Sequence, residues 1–170
     1  MPTAFIITGI PGAGKTTIAR ALADRLERAA HIEADSLQRM VVSGRRWPHE
    51  EPHDEAMRQL DLRARNAAML AANFLDAGIF PMIDDIVVGP RRLAVYREGL
   101  GDRPLQLVVL APPLKVALER DRVRPDKKVG DRWAHLDAEM RKGLAGEGLW
   151  LDTANLSVDQ TVDAILAATK

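Results

Sequence analysis

At 170 residues the chain is long enough to bury a core, and a single domain over 1–170 is expected. Its 24 basic and 24 acidic side chains cancel, which argues against the basic excess of a dedicated nucleic-acid binder. Cysteine is absent, which excludes disulfides and thiolate metal sites; no apolar run approaches the ~18 residues of a membrane span and no cleavable leader is seen, so a soluble cytoplasmic protein is expected.

Ala4–Thr8 (AFIIT) is a short apolar run ending at Gly9, the pattern of a buried strand. From Lys15 the period changes, and Ile18, Leu22 and Leu26 fall at i, i+4 and i+8 on one helical face. His31–Asp35 (HIEAD) predicts a second strand with Asp35 at its carboxyl end, before a helix around Leu37–Val41 that Asp35 or Ser36 can cap. Ser43–His53 has no clear period. Asp54 is expected to cap a long helix with Met57, Leu60, Ala64, Ala68, Ala71 and Leu75 on one face and Gly78 as its stop. Ile79–Val88 reads as a third strand. Pro81 removes a ladder donor there, so regular pairing is expected to begin at Met82.

PLQLVVLAPP supplies a fourth strand that Pro112 and Pro113 end, and Pro113–Arg124 looks helical. Pro125–Arg132 is rich in charge and without period. LWLDT (Leu149–Thr153) is a fifth strand, and Ser157–Gln160 (SVDQ) matches a capping box opening a helix with Val162, Ile165 and Leu166 inside. Five strands alternating with helices predict an α/β fold of three layers, a five-stranded parallel sheet with helices on both faces.

The turn after the first strand, Gly9–Thr16 (GIPGAGKT), is G-x-x-x-x-G-K-[ST], the phosphate-binding loop pattern. Glycines let successive backbone N–H groups curl around one anion, and the following helix adds the positive end of its dipole. Gly9, Gly12, Ala13, Gly14, Lys15, Thr16 and Thr17 are therefore the expected ATP-binding residues, with Lys15 on the β- and γ-phosphates and Thr16 on Mg²⁺. A second acid is needed near the metal. Asp84 ends an apolar run and is assigned to the Mg²⁺ shell, directly or through water; Asp85 either orients substrate or caps the next turn. Asp35 stands where open α/β sheets bind ligands, and a general base or an N-cap are the two readings of it.

ERDRVRPDKKVGDR (Glu119–Arg132) concentrates arginine after the fourth strand, as a mobile lid over phosphates does, spanning roughly 120–135 with Arg120 and Arg124 as its working groups. The loop GIPGAGKT, then ADSL (Ala34–Leu37), AGIFPMIDDIVVG (Ala77–Gly89) and this lid resemble, in that order, chloramphenicol phosphotransferase and related small P-loop kinases. The resemblance implies the shikimate- and nucleotide-kinase architecture and transfer of the ATP γ-phosphate to an alcohol. It implies that Asp35 is the base, that Asp84 and Asp85 are the family's paired acids, that Arg120 and Arg124 are its lid arginines, and that DTANLS (Asp152–Ser157) lies near adenine.

The acceptor-facing segment, roughly 37–57, departs from that family. VVSGRRWPHEEPHDEAM (Val41–Met57) offers Arg45, Arg46 and Trp47 for a polar or anionic acceptor against an aromatic wall. His49 and His53 are four apart across Pro52, which is not a helical pair, so a solvated loop is expected there rather than a metal site. The leading expectation is an ATP- and Mg²⁺-dependent kinase of a small alcohol. Nucleoside monophosphates and sugars are alternative acceptors. A nucleotide switch is the alternative class, against which stands the lack of a guanine-reading N-K-x-D pattern, and a nucleic-acid end kinase would need a basic groove.

Overall fold

The computed structural model describes residues 1–125 and 129–169. Five strands, β1 (Ala4–Thr8), β2 (Ala29–Glu33), β3 (Phe80–Asp84), β4 (Leu105–Leu110) and β5 (Leu149–Leu151), form one parallel sheet in the order β2-β3-β1-β4-β5. Alternate residues of each strand face opposite ways, and the two faces bury separate cores. Phe5, Ile7, Met82 and Val108 meet α1 (Lys15–Asp24) and α8 (Val158–Ala168) through Ile18, Leu22, Val162 and Ile165. Ile6, Ile83, Leu107 and Val109 meet the other layer, built from α3 (His53–Asp76), α4 (Pro90–Leu100) and α7 (Leu136–Gly143). Three short helices complete the described residues: α2 (Ala34–Arg39), α5 (Leu114–Arg122) and α6 (Gly130–Trp133). The three-layer parallel architecture is the one expected, whereas α4, α6 and α7 have no counterpart in the sequence reading.

Several local boundaries move. The second strand ends two residues before Asp35, because its partner β3 stops at Asp84, which pairs with Glu33. Asp35 consequently stands in the first turn of α2, where neither it nor Ser36 is the cap: Glu33 holds the N-cap position and Ser36 Oγ donates back to its carboxylate. Asp54 is not a cap either, since α3 starts one residue earlier behind Pro52. Its buried face is rotated from the expected one. Ala56, Gln59 and Arg63 turn inward in the first turns while Met57 and Leu60 are only half-buried. Gly78, at φ 74°, does end the helix.

Pro81 is accommodated as its chemistry requires. Pairing with β1 starts at Met82, but pairing with β2 starts already at Phe80, so Pro81 occupies a stretch bonded on one side. The capping box at Ser157 forms in full: the Gln160 N–H donates to Ser157 Oγ, and the Ser157 N–H donates to the Gln160 side chain.

The turn after β1 has the tightest steric demand. Gly12 has φ +86°, and a Cβ there would lie 1.9 Å from the Ala117 carbonyl oxygen of α5. Gly12→Ala is therefore expected to destabilise the fold by roughly 2–4 kcal/mol, from the left-handed backbone and the overlap together. Thermal unfolding checks it, and an unchanged Tm would contradict the close approach of α5 to the loop.

Candidate active site

Four segments converge at the carboxyl end of the sheet, where the order β3-β1-β4 turns the connections to opposite faces and opens a crevice. The loop Gly9–Gly14 leads straight into α1, with Gly14 at φ 95° as the N-cap and no side chain blocking the helix end. Lys15 curls over the loop and donates from Nζ to the Ile10 carbonyl at 3.3 Å. Burial lowers the Lys15 pKa, against the pull of Asp84 and then Asp35 to raise it; Arg124 adds to the lowering. Three of the expected catalytic groups thus share one electrostatic field. Thr17 faces solvent from the first turn of α1.

Thr16 and Asp84 meet directly, Thr16 Oγ1 donating to Asp84 Oδ2 at 2.5 Å. β3 ends at Asp84 itself, so the strand delivers one acid to the loop and turns the next away. Burial works to raise the Asp84 pKa. His31 Nε2 at 3.6 Å, the Lys15 charge and the Thr16 hydroxyl outweigh it, and the carboxylate sits below its ordinary range. A hydroxyl and a carboxylate in contact at the mouth of a phosphate-binding loop are hard oxygen donors that suit Mg²⁺. His31 was not singled out in the sequence; its Nε2 is buried without a hydrogen-bond partner among the described residues.

The connection after β3 is locked to β1. Thr8 Oγ1 accepts from the Val87 N–H at 2.8 Å and donates to the Val87 carbonyl at 3.3 Å, fixing the phosphate loop and the acidic pair as one body. Asp85 turns into the protein, where Oδ1 accepts from Arg63 Nη2 at 2.6 Å and from the Ile86 N–H at 2.9 Å. Oδ2 accepts from the Tyr96 hydroxyl at 2.7 Å. Arg63 also reaches Asp35, with Nη1 3.2 Å from Oδ1. Burial opposes the Arg63 charge, but Asp85 and Asp35 outweigh it and raise its pKa; burial, with Asp85, pushes the Tyr96 phenol well above its usual value. Arg63 and Tyr96 were missed from sequence. The signal for Arg63 was a charged residue on the inward face of an alanine-rich helix.

The two arginines expected to work in a lid diverge. Arg120 donates from Nη2 to the Thr153 carbonyl at 2.8 Å and from Nη1 to Thr153 Oγ1 at 3.3 Å, so it is held by the loop after β5. Arg124 lies 3.7 Å from Asp121 and acts electrostatically on Lys15. Asp121 is buried and pins the far end of the segment expected as a lid, Oδ2 accepting from the Val129 and Gly130 N–H groups at 2.8 and 2.7 Å. Asp126, Lys127 and Lys128, within the expected lid, lie outside the described residues.

The segment 43–53 is tied down by Gln59. Its Oε1 accepts from the Arg46 N–H at 2.8 Å, and its Nε2 donates to the Gly44 carbonyl at 2.9 Å. The Arg45 guanidinium stands 5.8 Å from the centre of the Trp47 ring. His49 touches the segment expected as a lid, 3.2 Å from Arg132 Nη1 and edge-on to Trp133 at 5.9 Å between ring centroids. His53 begins α3, and no group of ligands suited to a bound metal forms from histidines and acids among the described residues.

Known proteins place this architecture. The chain is similar to the Deinococcus radiodurans tunicamycin resistance protein, at 26% identity and a TM-score of 0.66, covering 99% of this chain and 95% of that one. A sugar kinase from Janibacter sp. HTCC2649 superposes with a TM-score of 0.70 at 22% identity, covering 98% and 94%. Shikimate kinase from Bacteroides thetaiotaomicron does so with 0.71 at 15% identity, covering 98% and 97%. No curated protein sequence matches the chain. No helix among the described residues is long and apolar enough to cross a membrane. The fold is that of small P-loop kinases, and since the family model described as AAA domain matches residues 5–148, the chain belongs to that P-loop family.

Proposed function

We propose that the chain is an ATP-dependent kinase that transfers the γ-phosphoryl group to a hydroxyl of a small-molecule acceptor. The observation that carries this reading is the convergence of Lys15, the Thr16–Asp84 pair and Asp35 within one field, with Arg124 acting on it from the lid. Asp35 adds to the Lys15 and Thr16–Asp84 groups a carboxylate able to take a proton from an attacking hydroxyl. The names of the similar solved structures, kinases of sugars and of shikimate among them, support an alcohol as acceptor.

In this reading the backbone N–H groups of Gly12–Thr16 and Lys15 hold the phosphates. Mg²⁺, held by Thr16 and the Asp84 carboxylate directly or through water, would neutralise charge on the β- and γ-phosphates. The acceptor lies between α2 and the segment 43–53, with Arg45, Arg46 and Trp47 on that side. Its hydroxyl oxygen attacks the γ-phosphorus while the bond to the β–γ bridging oxygen breaks. The hydroxyl proton passes to Asp35, and ADP leaves. Asp85, with both oxygens occupied inside the protein, supports this site from behind rather than touching the acceptor.

The arginines divide the work. Arg124 stands on the phosphoryl group, and Arg124→Ala is expected to lower kcat roughly 10²-fold or more while the KM for ATP changes far less. Arg120, held by Thr153 and Ala154, belongs to the adenine end. Arg120→Ala is expected to raise the KM for ATP severalfold with a smaller change in kcat; steady-state kinetics on both variants separates the two.

The function itself is tested by following ADP release, with product mass, against a panel of alcohols: sugars, sugar acids, nucleosides, nucleoside monophosphates, and antibiotics including chloramphenicol. One acceptor that stimulates ADP release and gains a phosphate supports the kinase and names its class. Brisk hydrolysis without any phosphorylated product would instead indicate a nucleotide switch.

A further inference from the structure

We propose that Asp85 and Tyr96 are positioning residues that act through Arg63 on Asp35, so that the direction of the base is set from α4, outside the acceptor site. The proposal rests on the kinase reading above. Four side chains from four different segments form one chain of hydrogen bonds: Tyr96 Oη to Asp85 Oδ2 at 2.7 Å, Arg63 Nη2 to Asp85 Oδ1 at 2.6 Å, and Arg63 Nη1 to Asp35 Oδ1 at 3.2 Å. Exposure grades along it in one direction. Tyr96 is fully buried, Asp85 is 3% and Arg63 6% exposed, and the Asp35 side chain is 33% exposed.

Stability is a poor reason for such an array. Each buried charge carries a large desolvation penalty, and apolar groups of the same volume hold helices at least as well. Arg63 carries a further cost, because its Nε is buried with no hydrogen-bond partner among the described residues. What the array supplies is direction. A guanidinium is a rigid planar fork, so anchoring Nη2 on Asp85 fixes the line along which Nη1 points, and Asp35 lies on that line. Asp85 can anchor it because its own oxygens are fixed in turn, Oδ2 by Tyr96 and Oδ1 by the Ile86 N–H. The last member is the one that reaches the crevice. A displacement of a catalytic group by about 1 Å is enough to cost roughly 10²-fold in rate, so orientation at this distance is a kinetic quantity.

Kinetics of Tyr96→Phe and Arg63→Lys, each alone and combined with Asp35→Asn, test the proposal. Tyr96→Phe keeps the ring and its packing, and is expected to lower kcat by roughly fivefold to tenfold. Arg63→Lys keeps the charge but cannot span both carboxylates, and is expected to lower kcat by roughly 10²-fold. In both, the KM values for ATP and acceptor should stay within about twofold, and neither change should lower kcat further once Asp35 is asparagine. Multiplicative losses in the Asp35→Asn background would overturn action through Asp35. A raised acceptor KM at unchanged kcat would make Arg63 a ligand instead, and a lower Tm with unchanged kinetics would make the array a structural brace. Crystal structures of the two variants give a readout without turnover. The Asp35 carboxylate should turn away from its present direction, and an unmoved carboxylate overturns the proposal. Absence of any acceptor phosphorylation by the unmodified protein would overturn the kinase reading alone. Tyr96→Phe carries the test if Arg63→Lys does not fold.

Discussion

Lys15→Ala is expected to lower ATP-dependent turnover by roughly 10³-fold, the scale on which a preorganised charge at a reacting centre acts. The Lys15 ammonium is partly buried: burial lowers its pKa, and Nζ donates to the Ile10 carbonyl of the loop it belongs to. A partly desolvated cation meets phosphate oxygens with less water to remove, so more of the attraction appears as binding and as relief of the charge that develops on transfer. Removing it leaves the loop backbone in place, because the turn is set by Gly12 and Gly14 and by the Ala13 N–H donating to Ile10. Folding, followed by Tm, should therefore be nearly unchanged while ATP affinity and ADP release both fall. Turnover at the unmodified rate would remove the phosphate-binding assignment of Gly9–Thr16.

Asp35→Asn makes the complementary cut. The amide keeps the shape of the carboxylate and can still accept from Arg63 through its oxygen, but it cannot take a proton. The expected result is a loss of roughly 10²- to 10⁴-fold in kcat, the range of general-base contributions, with ATP affinity within about twofold. Isothermal titration with a non-hydrolysable ATP analogue separates the two quantities. If affinity and kcat fall together, Asp35 serves the architecture of the loop and the base lies elsewhere.

What the sequence made legible was local. GIPGAGKT could be read because its chemistry depends on residues within eight positions of one another, and SVDQ for the same reason within four. The five strands followed from apolar runs whose ends are marked by Gly9 and by Pro112–Pro113. Asp84 could be found because it ends such a run, and its meeting with Thr16 spans 68 positions that the parallel pairing of β1 and β3 closes. Arg63, Tyr96 and His31 could not be found this way. Their meaning lies in partners 22, 11 and 53 positions away that only the packed layers bring together. The misplaced caps at Asp35 and Asp54 share another cause. Both are strong capping types beside a helix start, but the helix begins where β3 stops offering a partner or where Pro52 sets the backbone, and a side chain one or two residues away cannot move that point.

On the kinase reading proposed above, the contact of His49 with Arg132 and Trp133 would join the segment assigned to the acceptor to the one assigned to the nucleotide. Two substrates that enter by separate doors can leave in either order and without regard to each other. Under that reading the two doors would share a latch, and opening for one product would loosen the wall around the other. The pace of a catalytic cycle built on this frame would then be set by how often that latch lets go, and residence of the second molecule would lengthen the stay of the first.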